Sequence, residues 1–198
     1  MKHILIVAVF PVIILSVFIS RAAHRSDFLY NNTQIGFAKP DTVVPVKIQL
    51  VKRTMKDMQV LFIPDTASNN EMIHGVLDKG YGELMQFLQQ NKLTPLRFIA
   101  WYYTVQPPWS MDVAVETSGI PSQLTGRIQK RTVAGGEVIV AQMWGPYDQV
   151  GQGYEKIERW LIENKRKAKG NPFEVYLNDP AAVKSPSEIR TDIYQPIE

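Results

Sequence analysis

Cysteine is absent from the 198 residues. That removes disulfides, thiolate metal sites and a cysteine nucleophile, while leaving the redox compartment open. Histidine is nearly as scarce. Of the three in the chain only His74 lies beyond the N-terminal region, so one chain cannot assemble a three-histidine metal site. Glu71 and His74 stand one helical turn apart in "EMIH", but one carboxylate and one imidazole make a poor site. No metal and no other cofactor is expected. Neither a phosphate-binding glycine loop nor a nucleophile-elbow pattern occurs, and the glycines of "TVAGGEV" suit a hairpin turn better than an anion cradle. Surplus charge is missing from the body of the chain as well. The net charge of +3 is carried by Lys2, Arg21 and Arg25, the only formally charged side chains among the first 25 residues. The neutral remainder offers no net electrostatic footprint for nucleic acid, so no such partner is expected.

What the N-terminus has in abundance is apolar residues. From Ile4 to Ile19 the run is broken only by Ser16 and Pro11. At 1.5 Å per residue this helix spans about 24 Å, slightly under a hydrocarbon core of about 30 Å, and Lys2 and Arg21 can snorkel across the difference. Residues 1–22 therefore read as a single-pass membrane anchor. The alternative is a signal peptide cleaved after the "SRA" that ends at Ala22, giving a secreted or periplasmic protein. Basic residues at both ends leave the orientation weakly specified. Residues 23–45, with turn formers in "YNNTQ" and "KPDTVVP", read as a juxtamembrane tether, and the "NNT" sequon at Asn31 as part of that polar linker.

Residues 46–198 repeat themselves. "GYGELMQFLQQNK" begins at Gly80 and "GYEKIERWLIENK" at Gly153; "KRT" occurs at Lys52 and at Lys130, inside extended β-prone runs. Val60–Ile63 match Val138–Ala141 in order. An apolar stripe runs through Leu77, Tyr81, Leu84 and Leu88, and again through Val150, Tyr154, Ile157 and Leu161, as core-facing helices require. Ser68 and Glu71 form a candidate capping box, and Lys165–Lys167 place positive charge at the end of the second helix. Two extended stretches follow each helix: "LRFIAWYYTV" and "SMDVAVET", then "PFEVYLNDP" and "SEIRTDIYQP". The expected architecture is α+β: two pseudo-twofold-related β-α-β-β repeats, 46–120 and 121–198, with a cleft between them and an N-terminal hydrophobic helix in front.

"GPYDQVGQGYEKIERWL", "PFEVYLNDP" and "SEIRTDIYQPI" together resemble the C-terminal half of the GyrI-like domain, the small-molecule-binding module of some bacterial multidrug-responsive regulators. The resemblance covers about Pro45 to Ile197 and is looser in the first half. It implies a ligand in the cleft between repeats, bulky, aromatic and often cationic. It also implies a pocket acid in the last strand, where "RTDIY" places Asp192, one methylene shorter than the family's glutamate.

Within a strand, Arg190, Asp192 and Tyr194 share one face, and Tyr176 is expected on the same side as Asp192. Opposed to a site is a plain cross-strand charge network of Arg190, Asp192 and Glu174. "WYY" must present rings on both faces, with Tyr102 opposite to Trp101 and Tyr103. The candidate ligand-binding residues are Asp192, Tyr176, Tyr194, Tyr102 and Trp144. Tyr81 and Tyr154 are assigned to the core, and Ala114 is aligned with Asp192 in the first repeat. The expected function is non-catalytic binding of a small hydrophobic or cationic molecule by a membrane-tethered domain. The alternatives are an adaptor or gyrase-inhibitor-like protein with a protein partner, or a hydrolase of strained electrophiles using Asp192 and Tyr176.

Overall fold

The computed structural model describes residues 44–198; the expected N-terminal helix and nearly all of the tether lie outside them. Residues 44–198 belong to one compact unit. Its elements are β1 (Lys47–Met55), β2 (Met58–Ala67), α1 (Asn70–Gln90), β3 (Pro95–Tyr102), β4 (Trp109–Thr117), β5 (Gln129–Val133), β6 (Gly136–Trp144), α2 (Gly151–Glu163), β7 (Phe173–Tyr176) and β8 (Arg190–Pro196). The fold is mixed α+β, with one eight-stranded sheet and two helices. Every strand pairing is antiparallel.

Each extended run expected as one strand is in fact two. Lys56–Asp57 separates β1 from β2, and Ala134–Gly135 separates β5 from β6, so each half carries two strands before its helix. Neither pair is a hairpin. β1 pairs with β6 and β5 with β2, which corrects the hairpin expected at "TVAGGEV". The links instead cross against each other: the Gly135 N–H donates to Asp57 Oδ1 at 2.7 Å, and a Cβ on Gly135 would lie 2.8 Å from the Lys56 carbonyl carbon. Only glycine fits there.

The strand order is β1-β6-β8-β7-β3-β4-β2-β5. Exchanging each strand for the one four places away in sequence reproduces this order in reverse. The order also dictates curvature. In a flat sheet β1 and β2 would stand about 29 Å apart at about 4.8 Å per strand. A two-residue link reaches only about 10 Å. The sheet must therefore curl until its two ends meet, on the face that carries no helix.

Both helices pack on the other face. Leu84, Phe87 and Leu88 of α1 cover Leu61, Ile63, Val113 and Val115, while Ile157 of α2 covers Ile139, Ala141 and Ile193. A third cluster fills the inside of the curl: Val60, Ile99, Trp101, Val138, Val140, Phe173, Val175 and Tyr194. Strands in the middle of the order are covered on both faces, whereas β1 and β5 at its ends keep exposed polar residues.

The repeated Gly-Tyr gains a structural reason. Gly80 rides on Val113 and Gly153 on Ile193: a Cβ added to Gly80 would fall 2.8 Å from Val113 Cβ, and one added to Gly153 would fall 2.6 Å from Ile193 Cδ1. These glycines let each helix approach the sheet so that the next residue, tyrosine, reaches its centre. At the helix ends two details differ from expectation. Asn69, not Ser68, caps α1, accepting the Met72 N–H at 3.0 Å. Arg166 caps α2 through its backbone N–H, which donates to the Leu161 carbonyl at 2.9 Å, while its side chain bonds Glu137 at 2.6 Å.

Gly80→Ala meets the stiff, β-branched Val113, whereas Gly153→Ala meets the movable ends of Met143 and Ile193. Gly80→Ala is expected to destabilise by about 1–3 kcal/mol and Gly153→Ala by less. Urea unfolding of the two variants checks the order.

Candidate functional site

β3 and β7 meet at the middle of the sheet, with Phe98 opposite Tyr176, Ile99 opposite Val175, Ala100 opposite Glu174 and Trp101 opposite Phe173. Alternation sends Ile99, Trp101, Phe173 and Val175 into the curl. Ala100, Tyr102, Glu174 and Tyr176 are sent to the helix side, into the groove between α1 and α2. Glu174 is buried there, only 5% exposed. Its two oxygens accept hydrogen bonds from the hydroxyls of Tyr154, at 2.9 Å, and Tyr176, at 2.8 Å. The Tyr176 hydroxyl lies 3.2 Å from that of Tyr102. Across the groove Tyr81 donates to the Ile99 carbonyl at 3.0 Å, and its ring meets that of Tyr176 edge-on. Tyr147, from the short turn before α2, sets its ring edge-on to Tyr176 at 5.7 Å and faces His74 of α1 at 6.0 Å. Trp109 closes the far wall against Tyr102.

Glu174 has no basic partner among the described residues. Burial raises its pKa above the ordinary carboxylate range, and the hydrogen bonds from Tyr176 and Tyr154 oppose that rise. Burial next to this carboxylate also raises the tyrosines: Tyr147 is pushed up to about 12, and Tyr81, Tyr102, Tyr154 and Tyr176 go higher. All five stay protonated donors at neutral pH. Their rings are half-buried rather than sealed, so the groove offers accessible aromatic surface around a desolvated acid.

The residues expected as a site divide between the two faces of the sheet. Tyr102 and Tyr176 come together in the groove. Asp192, Tyr194 and Trp144 do not join them. Asp192 stands opposite Val175 and Gln142, while Tyr176 stands opposite Thr191, so Asp192 and Tyr176 point to opposite faces. The expectation that they share a side is thereby corrected, and with it the pairing of Asp192 and Tyr176 as catalytic partners. The expected network of Arg190, Asp192 and Glu174 fails for the same reason. Asp192 lies inside the curl, where Gln142 Nε2 approaches it at 3.5 Å and Arg190 at 3.7 Å, and burial raises its pKa. Trp144 lies on that face too, beneath Lys47 and Arg190. Asp192 also has a counterpart: Asp112 stands opposite Pro64 as Asp192 stands opposite Gln142, so Asp112 and not Ala114 holds its place in the first half.

Glu174 and Tyr147 stand outside the set expected from the residues alone, and Tyr81 and Tyr154 line the groove instead of being sealed in the core. Signals for both kinds of residue existed. Glu174 is a lone acid in a four-residue strand, two places from a tyrosine on the same face. The repeated Gly-Tyr marks a tyrosine that a close-packed helix drives toward the sheet.

Residues 49–198 match the GyrI-like small molecule binding domain. The chain belongs to that family. No curated protein matches it. Among solved structures, the GyrI-like domain here is similar to the C-terminal domain of EcmrR, at 15% identity and a TM-score of 0.62, covering 76% of this chain and 98% of that one. It spans 57% of the EcmrR chain solved in a DNA complex. A hydrolase from Listeria innocua aligns at 10% identity and a TM-score of 0.56, over 76% of this chain and 92% of its own. SAV2435 bound to tetraphenylphosphonium aligns at 15% identity and a TM-score of 0.53, over 76% and 94%. At these identities the likeness is one of fold.

An acid whose pKa is raised on folding takes up a proton as it folds. Stability is then greatest below the ordinary glutamate value of 4.5, falls as pH rises through the raised value, and levels off above it. Glu174→Gln is expected to match the wild type in urea at pH 4 and to exceed it at pH 8. Parallel profiles at all pH values would show that Glu174 carries no burial penalty.

Proposed function

We propose that the groove between α1 and α2 binds an aromatic organic molecule bearing delocalised or quaternary positive charge, without catalysis. One observation carries this reading: a buried carboxylate with no cation of its own among the described residues, ringed by five half-buried tyrosines. An uncompensated buried charge is unfavourable, and a cation that arrives without tightly held water offsets it. Each ring adds cation–π attraction of about 0.5–2 kcal/mol. The acid stands on β7 opposite Ala100, so the charged end of the ligand lies toward α2 and its apolar body toward Ala100, Phe98 and α1. The bulky organic cation bound by SAV2435 agrees with this chemistry.

The two halves are assigned as pseudo-twofold repeats, 46–120 and 121–198, with the groove along their axis; the reversing strand order supports this. Residues 1–22 are assigned as a membrane anchor and 23–45 as a tether on their sequence alone. Among the described residues no helix is long and apolar enough to cross a membrane. A neutral body supports a partner that is a small molecule rather than nucleic acid.

A second reading has one observation in its favour. Tyr102, Tyr176 and Glu174 form a hydrogen-bonded chain from half-exposed rings to a buried acid, and Tyr154 supplies another donor. Such a chain can move a proton during hydrolysis of a strained electrophile, with Glu174 in the role that the sequence suggests for Asp192. The similar Listeria innocua protein is a hydrolase.

Titration of the full chain with tetraphenylphosphonium, followed by tryptophan fluorescence, tests binding. Glu174→Gln is expected to weaken it at least tenfold and Asp192→Asn to leave it unchanged. The reverse pattern, or no saturable response, overturns the reading. Turnover of a cyclopropane electrophile that disappears in Glu174→Gln would decide for the hydrolase. The anchor predicts that the full chain resists alkaline extraction from membranes, and that a chain starting at residue 23 does not sediment with them.

A further inference from the structure

The repeated Lys-Arg-Thr lies away from the groove, and its two copies have different fates. The register gives their arginines equivalent places: Arg53 of β1 stands opposite Val138, and Arg131 of β5 opposite Val60. Arg131 is held through its guanidinium face and Nη1, while Nη2 is buried without a hydrogen-bond partner. Its guanidinium lies over Trp101 at 4.1 Å and Phe62 at 4.5 Å, and its Nη1 donates to Asp112 at 2.7 Å and to the Tyr103 hydroxyl at 3.0 Å.

Arg53 has none of this. The places of Trp101 and Phe62 are taken in its half by Val175, opposite Asp192, and Val140, opposite Tyr194. No ring is left to stack on. The acid equivalent to Asp112 is Asp192, and Arg190 stands beside it on the same strand, 3.7 Å away. The first half has Ser110 where the second has Arg190. Arg190 therefore stands nearest the acid that the first half gives to its Lys-Arg-Thr arginine, although Asp192 Oδ1 receives no hydrogen bond. Arg53 is left exposed and without an ion pair among the described residues.

It borders a cavity of about 380 Å³ where the crossed links close the curl. That volume suits a small organic molecule. Lys56 and Arg97 also line it, above Val138 and Tyr194. The Tyr194 ring, stacked on Phe173 at 5.1 Å, and Val138 are both buried and form only its floor. Two acids border the space, and both are occupied: Asp57 accepts the Gly135 N–H, and Glu116 pairs with Arg97. Arg53 and Lys56 remain outside any ion pair among the described residues, at the mouth of a mostly polar recess.

We propose that this cavity is a second binding site, for a small organic anion such as a carboxylate or sulfonate. Arg53 and Lys56 meet the anionic group at its mouth. The sheet separates this site from the tyrosine groove, so either can fail without the other.

Calorimetric titration of the full chain with naphthalene-2-sulfonate tests it. One molecule is expected to bind per chain, with at least tenfold loss in the double variant Arg53→Gln, Lys56→Gln and no change in Glu174→Gln. Arg53→Lys, which keeps the charge, is expected to retain most of the affinity, and 2-naphthol, which lacks the anion, to bind at least tenfold more weakly. Both altered side chains are exposed, so circular dichroism should match the wild type; Arg53→Gln alone provides a partial loss as a second measure. Absence of saturable binding, equal affinity in the double variant, or equal loss in Glu174→Gln overturns the proposal.

Discussion

Four cross-strand pairs, from Phe98 with Tyr176 to Trp101 with Phe173, join the two halves of the sheet at its centre. The rest of the molecule is arranged around this seam. Because β3 and β7 meet there, the sheet is continuous beneath both helices, and the groove between the helices has a floor of backbone already paired. A carboxylate on that floor loses its water on folding, a cost of several kcal/mol for an ion without partners. Two tyrosine hydroxyls recover part of it, since hydrogen bonds to a charged group contribute about 1.5–3 kcal/mol each. The tyrosine from α2 reaches the acid because Gly153 lets that helix sit close against β8. Seam, glycine, tyrosine and acid thus form one dependent series.

The two faces of the sheet have different electrical characters. The helix side holds Glu174, an acid lacking a cation among the described residues; inside the curl Asp112 and Asp192 lie beside Arg131 and Arg190. Alternation in adjacent strands produces this separation directly. Glu174 and Tyr176 take one face of β7, and Asp192 and Tyr194 take the other face of the neighbouring β8, because the register sets Val175 opposite Asp192. A shift of one residue in that pairing would merge the two sets and destroy both environments.

Much of this was legible in the residues. The doubled Gly-Tyr helix, the strands after each helix and the family likeness all follow from local pattern, and local pattern is where a single sequence is most informative. Less legible was anything that depends on which strand pairs with which. The extended run from Val46 to Ile63 has no glycine or proline to mark a turn, yet a two-residue link divides it and sends its halves to distant places in the sheet. The choice between Asp192 and Glu174 turned on register between strands whose intervening loop conceals it. Tyr154 was correctly placed on the apolar stripe of α2, but a stripe does not say whether the hydroxyl at its edge meets water, backbone or a buried acid.

The seam also bears on why this is one chain. Glu174 faces Ala100 across the ladder. Had two identical subunits met at this seam, a glutamate at that place would have faced its own copy, about 5 Å away, with neither in contact with water. Two such carboxylates cannot both ionise, so a symmetric assembly must share one proton between them or give up the acid. Joining the halves covalently lifts that restriction. One side keeps the charge and the other yields space, so the two walls of the groove differ although the strand order reads the same in reverse.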